Sequence, residues 1–191
     1  MTFEVLTPAQ IAAGHKADHI LDTVKARPID WNNIEDPKDK EVWDKLTENF
    51  WLPEKVPLSN DVKSYNNLPE AEKKVMQNTY GMLTLLDTIQ STVGATAMVG
   101  DALTPHEEAV YSNIVFMESV HAKSYSSIFS TLCSKEENDA IFEWTENNEL
   151  VQNLARIQMN FYTDIDPIKR KIAGTMLEGF LFYPGFFTPF Y

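Results

Sequence analysis

The segment NIVFMESVHAKSYSSIF, Asn113 to Phe129, spaces its apolar residues as a helix does and not as a strand does. A stripe through Tyr111, Ile114, Val115, Ala122, Ile128, Phe129 and Leu132 runs along it and beyond. Glu118, His121 and Tyr125 lie on that same stripe. Offsets of three and four residues stack side chains one above another on a single helix face. A carboxylate, an imidazole and a phenol therefore occupy positions where a core helix wants Leu.

An ionised carboxylate without a partner costs several kcal/mol to bury, so such a group is normally paired or bound to a metal. Glu-x-x-His is a common accidental pattern on helix surfaces. It is also the ligand pair with which ferritin-like bundles hold two metal ions. The apolar surroundings favour the second reading here, and two further acids strengthen it. Asp87, in MLTLLDTIQ, follows Met76, Tyr80 and Leu83 at helical spacing and so points toward the core. Glu178, in GTMLEGFLFY, is the only charge between Lys171 and the C-terminus. Three helices each place one acid in an apolar setting, which neither capping nor solvation explains. Tyr125, one turn beyond His121, would hold its hydroxyl roughly 5–7 Å from such metals. A buried phenol usually just seeks a hydrogen bond, whereas beside an oxygen-activating metal pair it can be oxidised. His15 and His19 lie in a polar amphipathic segment and read as exposed; His106, in the first turn of its helix, reads as solvated. Met82, Met98, Met117 and Met176 read as core filler.

The punctuation around these segments is helical throughout. Pro69 opens a helix whose pattern runs to about Val99, where Gly100 ends it. TPHEE supplies Thr104 as N-cap, Pro105 in the first turn and Glu107 to complete a capping box. SKEE, from Ser134, opens a helix to about Phe161. Asp166-Pro167 starts the last, over roughly Ile168 to Tyr183. Upstream, EDPKDKEVWDKLTENFW reads as a short helix and LPEKVPLSND as a loop. No sustained period-2 alternation appears. The expected architecture is all-α: an N-terminal arm with short helices over residues 1–66, then a ferritin-like long-helix bundle over 67–191.

Composition bounds the function. With 43% hydrophobic and 23% charged residues the chain is globular, and a net charge of -12 excludes the clustered basic surface that nucleic acid requires. One cysteine, Cys133, rules out a disulfide framework and fits a reducing cytoplasm. The first twenty residues lack the basic flank and apolar core of a signal peptide, and no apolar run approaches the roughly 20 residues that span a bilayer. The apolar GFLFYPGFFTPFY at the end is broken by Pro184, Gly185 and Pro189. A cytoplasmic protein without a membrane partner is expected.

Taken together, Glu118-x-x-His121-x-x-x-Tyr125, Asp87 in LTLLDTIQ, Glu178 in LEGFLFY and the earlier NFWLPEKVPLSND resemble the small, radical-bearing subunit of class I ribonucleotide reductase, the bacterial class Ib form above all. The likeness runs from about Trp31 to the end of the chain. It implies that Asp87, Glu118, His121 and Glu178 are ligands of a dinuclear manganese or iron centre and that Tyr125 is oxidised to a stable radical. It implies too that Trp51 lies on a long-range radical path toward a large catalytic subunit, where ribonucleotides are reduced to deoxyribonucleotides. On its own, Trp51 reads as a core aromatic. Members of that family are substantially longer and carry a second Glu-x-x-His, an Asp beside it and a docking tail, none of which this chain contains, so the resemblance implies a bundle that is incomplete here, without its C-terminal helices. The implied partners are the large subunit, a complementary C-terminal half or second copy and, with manganese, a flavodoxin-like activator. Carboxylate and imidazole donors accept either metal. Two other readings stand beside this one: a different ferritin-like dimetal oxidase completed by symmetric dimerisation, and a non-catalytic remnant.

Overall fold

A Pro one step inside a helix and an Asp, Ser, Thr or Asn one step before it satisfy or remove the N–H groups that a helix start leaves unpaired. This chain uses the device repeatedly. The computed structural model describes residues 28–188, and from Trp31 onward they form one compact unit. Helix α1, Pro37–Glu48, begins at Asp36, whose carboxylate accepts from the Lys38 N–H. A single 3-10 turn, Pro53–Lys55, and the short α2, Asp61–Asn67, follow. Helix α3, Glu70–Ile89, continues through a π-helical turn, Gln90–Ala95, into α4, Thr96–Val99. Helix α5, Pro105–Leu132, is the longest. Then come α6, Lys135–Asn147, α7, Glu149–Tyr162, and α8, Pro167–Met176. A second π turn, Leu177–Leu181, and α9, Tyr183–Phe187, close the described chain. No strand occurs among the described residues, and no helix there is long and apolar enough to cross a membrane.

The expected starts hold, with one refinement. Thr104 accepts from the Glu107 N–H at 2.9 Å, while the Glu107 carboxylate reaches back to the Leu103 N–H, one residue before the cap. At Ser134 both halves of the capping box form. Three of the expected helices need correction. The single helix expected over 134–161 is two, because Asn148 turns extended and caps the Leu150 and Val151 N–H groups. The helices expected over 69–99 and 168–183 each contain a π turn, which periodicity alone does not show.

The core is built around α3. Tyr80, Leu83, Leu86 and Ile89 meet Phe129 of α5, Ile141 of α6, Ala155 and Tyr162 of α7, and Leu177 and Phe182 at the end of the chain. On α5 the inner face is carried by Val110, Met117, Val120 and Phe129, with Glu118 among them. Tyr111, Ile114 and Val115 are half-buried. His106 is buried, packed edge-on against Trp31 at 4.8 Å, which corrects the solvated reading. Met176 is half-exposed and not core. His15 and His19 lie outside the described residues. Polar clamps fix α8 to the start of α5: Arg170 grips the Asp101 carboxylate, and Lys171 meets Glu107 at 2.8 Å. Thr104 also donates to Asp39 of α1 at 2.8 Å.

Close approach of α3 to α6 depends on Gly81. A Cβ there would stand 2.5 Å from Thr145 Oγ1 and 2.9 Å from Ile141 Cγ2. Overpacking of this kind costs about 1–3 kcal/mol, so Gly81→Ala is expected to lower the melting temperature by about 5 °C. Gly179→Ala, where a Cβ meets nothing within 4 Å, is the control and should leave the temperature unchanged in the same thermal scan.

Candidate metal centre

The inner faces of α3 and α5 bring acids, not only hydrocarbon, to one point. Asp87 comes from the last turn of α3 and is 2% exposed; Glu118 comes from mid-α5 and is 5% exposed. His121 follows one turn later, its Nδ1 lying 3.1 Å from Glu118 Oε2. One donor atom from each of Asp87, Glu118 and His121 falls within 4.8 Å of the others. Glu178 stands beside this trio in the second π turn. The residue is exposed as a whole, yet its carboxyl is the inner end: Oε1 accepts from Nε2 of the fully buried Gln90 at 3.0 Å. Among the described residues, the structure thus gathers all four acids and imidazoles singled out from the sequence.

Electrostatics shows how ill-suited this cluster is to being empty of positive charge. Burial, then the neighbouring Glu118 and Glu178 charges, pushes the Asp87 carboxyl up to about 9. Burial and Glu118 likewise push Glu178 up to about 7, against the opposing pull of Gln90 and His121. Asp87 Oδ2 is buried without a hydrogen-bond partner. Acids that close together ionise only with a compensating cation. Three carboxylates and an imidazole are hard-to-borderline donors of the kind that manganese and iron accept. The orphaned Asp87 oxygen and this donor set fit a divalent metal.

Two aromatic residues complete the surroundings. Trp51, just after α1, stacks on the His121 ring at 5.7 Å with 24° between planes. Tyr125, one turn beyond His121, is half-buried with its ring 5.6 Å from that of Tyr80. Burial, followed by the Asp87 charge, holds its phenol above the ordinary range, so it is protonated at neutral pH. An open groove of about 900 Å³ runs past Trp51, Met117, Glu118, His121 and Glu178. Sequence reasoning missed Gln90 and Tyr162, and read Tyr80 only as a core-facing residue on the helix of Asp87. The signal for Gln90 was present: in the helix expected over 69–99, an amide three residues after Asp87 lies on the same inward face.

A bundle of helices turning acids inward in this way belongs to the ferritin-like class. Within that class, residues 28–191 match the family described as ribonucleotide reductase, small chain, and this chain belongs to that family. The ribonucleoside-diphosphate reductase subunit beta of Mycobacterium leprae is 59% identical over 172 residues, 90% of this chain and 52% of its own length. The ribonucleoside-diphosphate reductase 2 subunit beta of Escherichia coli is 55% identical over 163 residues, 85% of this chain and 51% of its own. The dimanganese(II)-NrdF of Streptococcus sanguinis superposes with a TM-score of 0.84 at 53% identity, covering 86% of this chain and 58% of that one. The class Ib likeness read from the sequence is therefore upheld. The chain spans about half the length of the curated relatives it matches.

Proposed function

We propose that this chain contributes to the radical-generating subunit of a ribonucleoside-diphosphate reductase. In this reading Asp87, Glu118, His121 and Glu178 hold part of a dinuclear manganese or iron centre and Tyr125 carries the radical. One observation carries it: the donor atoms of Asp87, Glu118 and His121 converge within 4.8 Å, with an unpartnered buried carboxylate oxygen among them. The dimanganese(II) form of the S. sanguinis neighbour favours manganese. When bound and oxidised by an oxygen species, which takes up the electrons, the metal pair would supply the oxidising power for removing an electron from Tyr125. The residues of this chain would do the rest. Asp87, Glu118 and Glu178 would neutralise the ions, and the packing of Tyr80 would help keep water from Tyr125. Because its phenol is protonated, Tyr125 must release a proton with the electron. Trp51, which stacks on His121, would pass an electron between the centre and the surface. The large subunit, a complementary half or second copy bearing another Glu-x-x-His, and a flavodoxin-like activator are the proposed partners. The proposed location is the cytoplasm, and the division into an arm over 1–66 and a bundle over 67–191 remains part of the proposal.

Metal analysis with electron paramagnetic resonance, on the chain with and without a complementary C-terminal fragment, tests this. Alone, the chain should bind metal weakly; with the fragment it should take up about two metals per site and develop a tyrosyl radical. Tyr125→Phe is expected to leave metal content unchanged and abolish the radical. A radical surviving that substitution would show that another residue carries it. Two tightly held metals in a stable homodimer of this chain alone would favour the symmetric oxidase reading instead.

A further inference from the structure

A hydrogen bond between side chains joins the two π turns, as part of a chain of polar groups. Gln90 is the first residue of one turn and Glu178 the second residue of the other. The Tyr162 hydroxyl, 1% exposed, donates to Gln90 Oε1 at 2.5 Å. With its carbonyl engaged, the Gln90 amide can only present its NH₂ on the other side, where Nε2 meets Glu178 Oε1. Gly94 makes room for this arrangement: a Cβ there would stand 2.5 Å from the Tyr162 ring and 2.6 Å from Gln90 Oε1. The turn itself is pinned to α5 through Ser91, which shares a 2.7 Å hydrogen bond with Ser119. A π turn displaces side chains from the register of the surrounding helix and is frequent at functional sites.

We infer that Gln90, oriented by Tyr162, is a positioning residue that holds Glu178 toward the Asp87–Glu118–His121 cluster as a metal ligand. The inference rests on the metal-centre reading and extends it. Asp87, Glu118 and His121 already meet without help, whereas Glu178 sits on a more exposed turn and would otherwise sample solvent. By tying up one oxygen, the amide fixes the plane of the carboxylate and leaves the second oxygen for an ion. An N–H donor at this place favours the charged carboxylate without competing for the metal. Outer partners of this kind typically change metal affinity 10–100-fold when removed.

The experiment is a manganese(II) titration of the full chain, read from the resonance of the free ion, beside a melting curve taken in chelator. Gln90→Leu is expected to weaken binding about 10–100-fold. Tyr162→Phe, which removes only a hydroxyl, should weaken it several-fold by freeing the amide to turn over. In a Glu178→Ala background, Gln90→Leu should have no further effect, a result that a merely structural role would not give. Should Gln90→Leu fail to fold, Tyr162→Phe with and without Glu178→Ala carries the same comparison. Unchanged affinity in both single variants, or an equal loss in the Glu178→Ala background, overturns the role of Gln90 while leaving the metal centre standing. No manganese uptake by the unaltered chain, even with the complementary C-terminal fragment present, overturns the metal centre and this inference together.

Discussion

Replacing Glu118 by Ala is expected to weaken manganese(II) binding at least about 100-fold, equivalent to about 2.7 kcal/mol. The size follows from where Glu118 stands. Its Oε2 is 3.1 Å from His121 Nδ1, and its charge is felt by both Asp87 and Glu178. Removing it takes away the carboxylate that the other three donors share. Glu118→Gln keeps the volume and removes the charge, so it separates coordination from packing. Its affinity should fall nearly as far, while its melting temperature in chelator stays within a few degrees or rises, since one fewer buried acid repels its neighbours. Equilibrium titration by metal resonance checks both. If Glu118→Ala retained the affinity of the unaltered chain to within tenfold, the ion would have to sit elsewhere.

The metal-free chain should lose stability as the solution becomes more alkaline, the reverse of ordinary acid denaturation. Asp87 is raised from 3.8 to about 9, so the folded chain holds a proton that the unfolded chain releases. That contribution is complete below pH 4 and is lost progressively as the pH rises through about 9. Across pH 5 to 8 one such group lowers stability by up to about 1.4 kcal/mol per pH unit, so the melting temperature should fall steadily over that range. Glu178, pushed up to about 7, acts with the same sign. Surface acids held low by lysines, such as Glu41 beside Lys38 and Lys45, are already ionised by pH 5 and do not alter this window. Asp87→Asn should flatten the dependence. Manganese should reverse it, because the ion displaces the protons and its affinity therefore rises with pH. Melting curves at pH 5, 6.5 and 8, with chelator and with manganese, give the comparison. A metal-free melting temperature that held steady across that range would mean the cluster carries no extra proton.

An exposed apolar surface accompanies the half-length relationship to the relatives. Ile168 and Ile172 of α8, Phe180 of the second π turn, and Tyr183 and Phe186 of α9 are each more than half exposed. These residues lie on the same part of the chain as Glu178.

Helical class, the start of each long helix and the identity of the inward acids were set by local rules. Pro and capping residues fix helix starts through the few N–H groups beside them, and offsets of three and four fix a face whatever lies opposite. Asp87, Glu118 and Glu178 could therefore be read as core-facing from spacing and apolar surroundings alone. Tertiary structure decided what depends on groups distant in sequence. It placed Trp51 on His121, buried His106 against Trp31, and broke two helices into π turns so that Gln90 and Glu178 meet across 88 residues. The break of the expected helix at Asn148 was itself local, a side-chain cap on the Leu150 and Val151 N–H groups that the apolar periodicity running through it concealed. Spacing tells which way a side chain points; only the packing of separate helices determines what it points at.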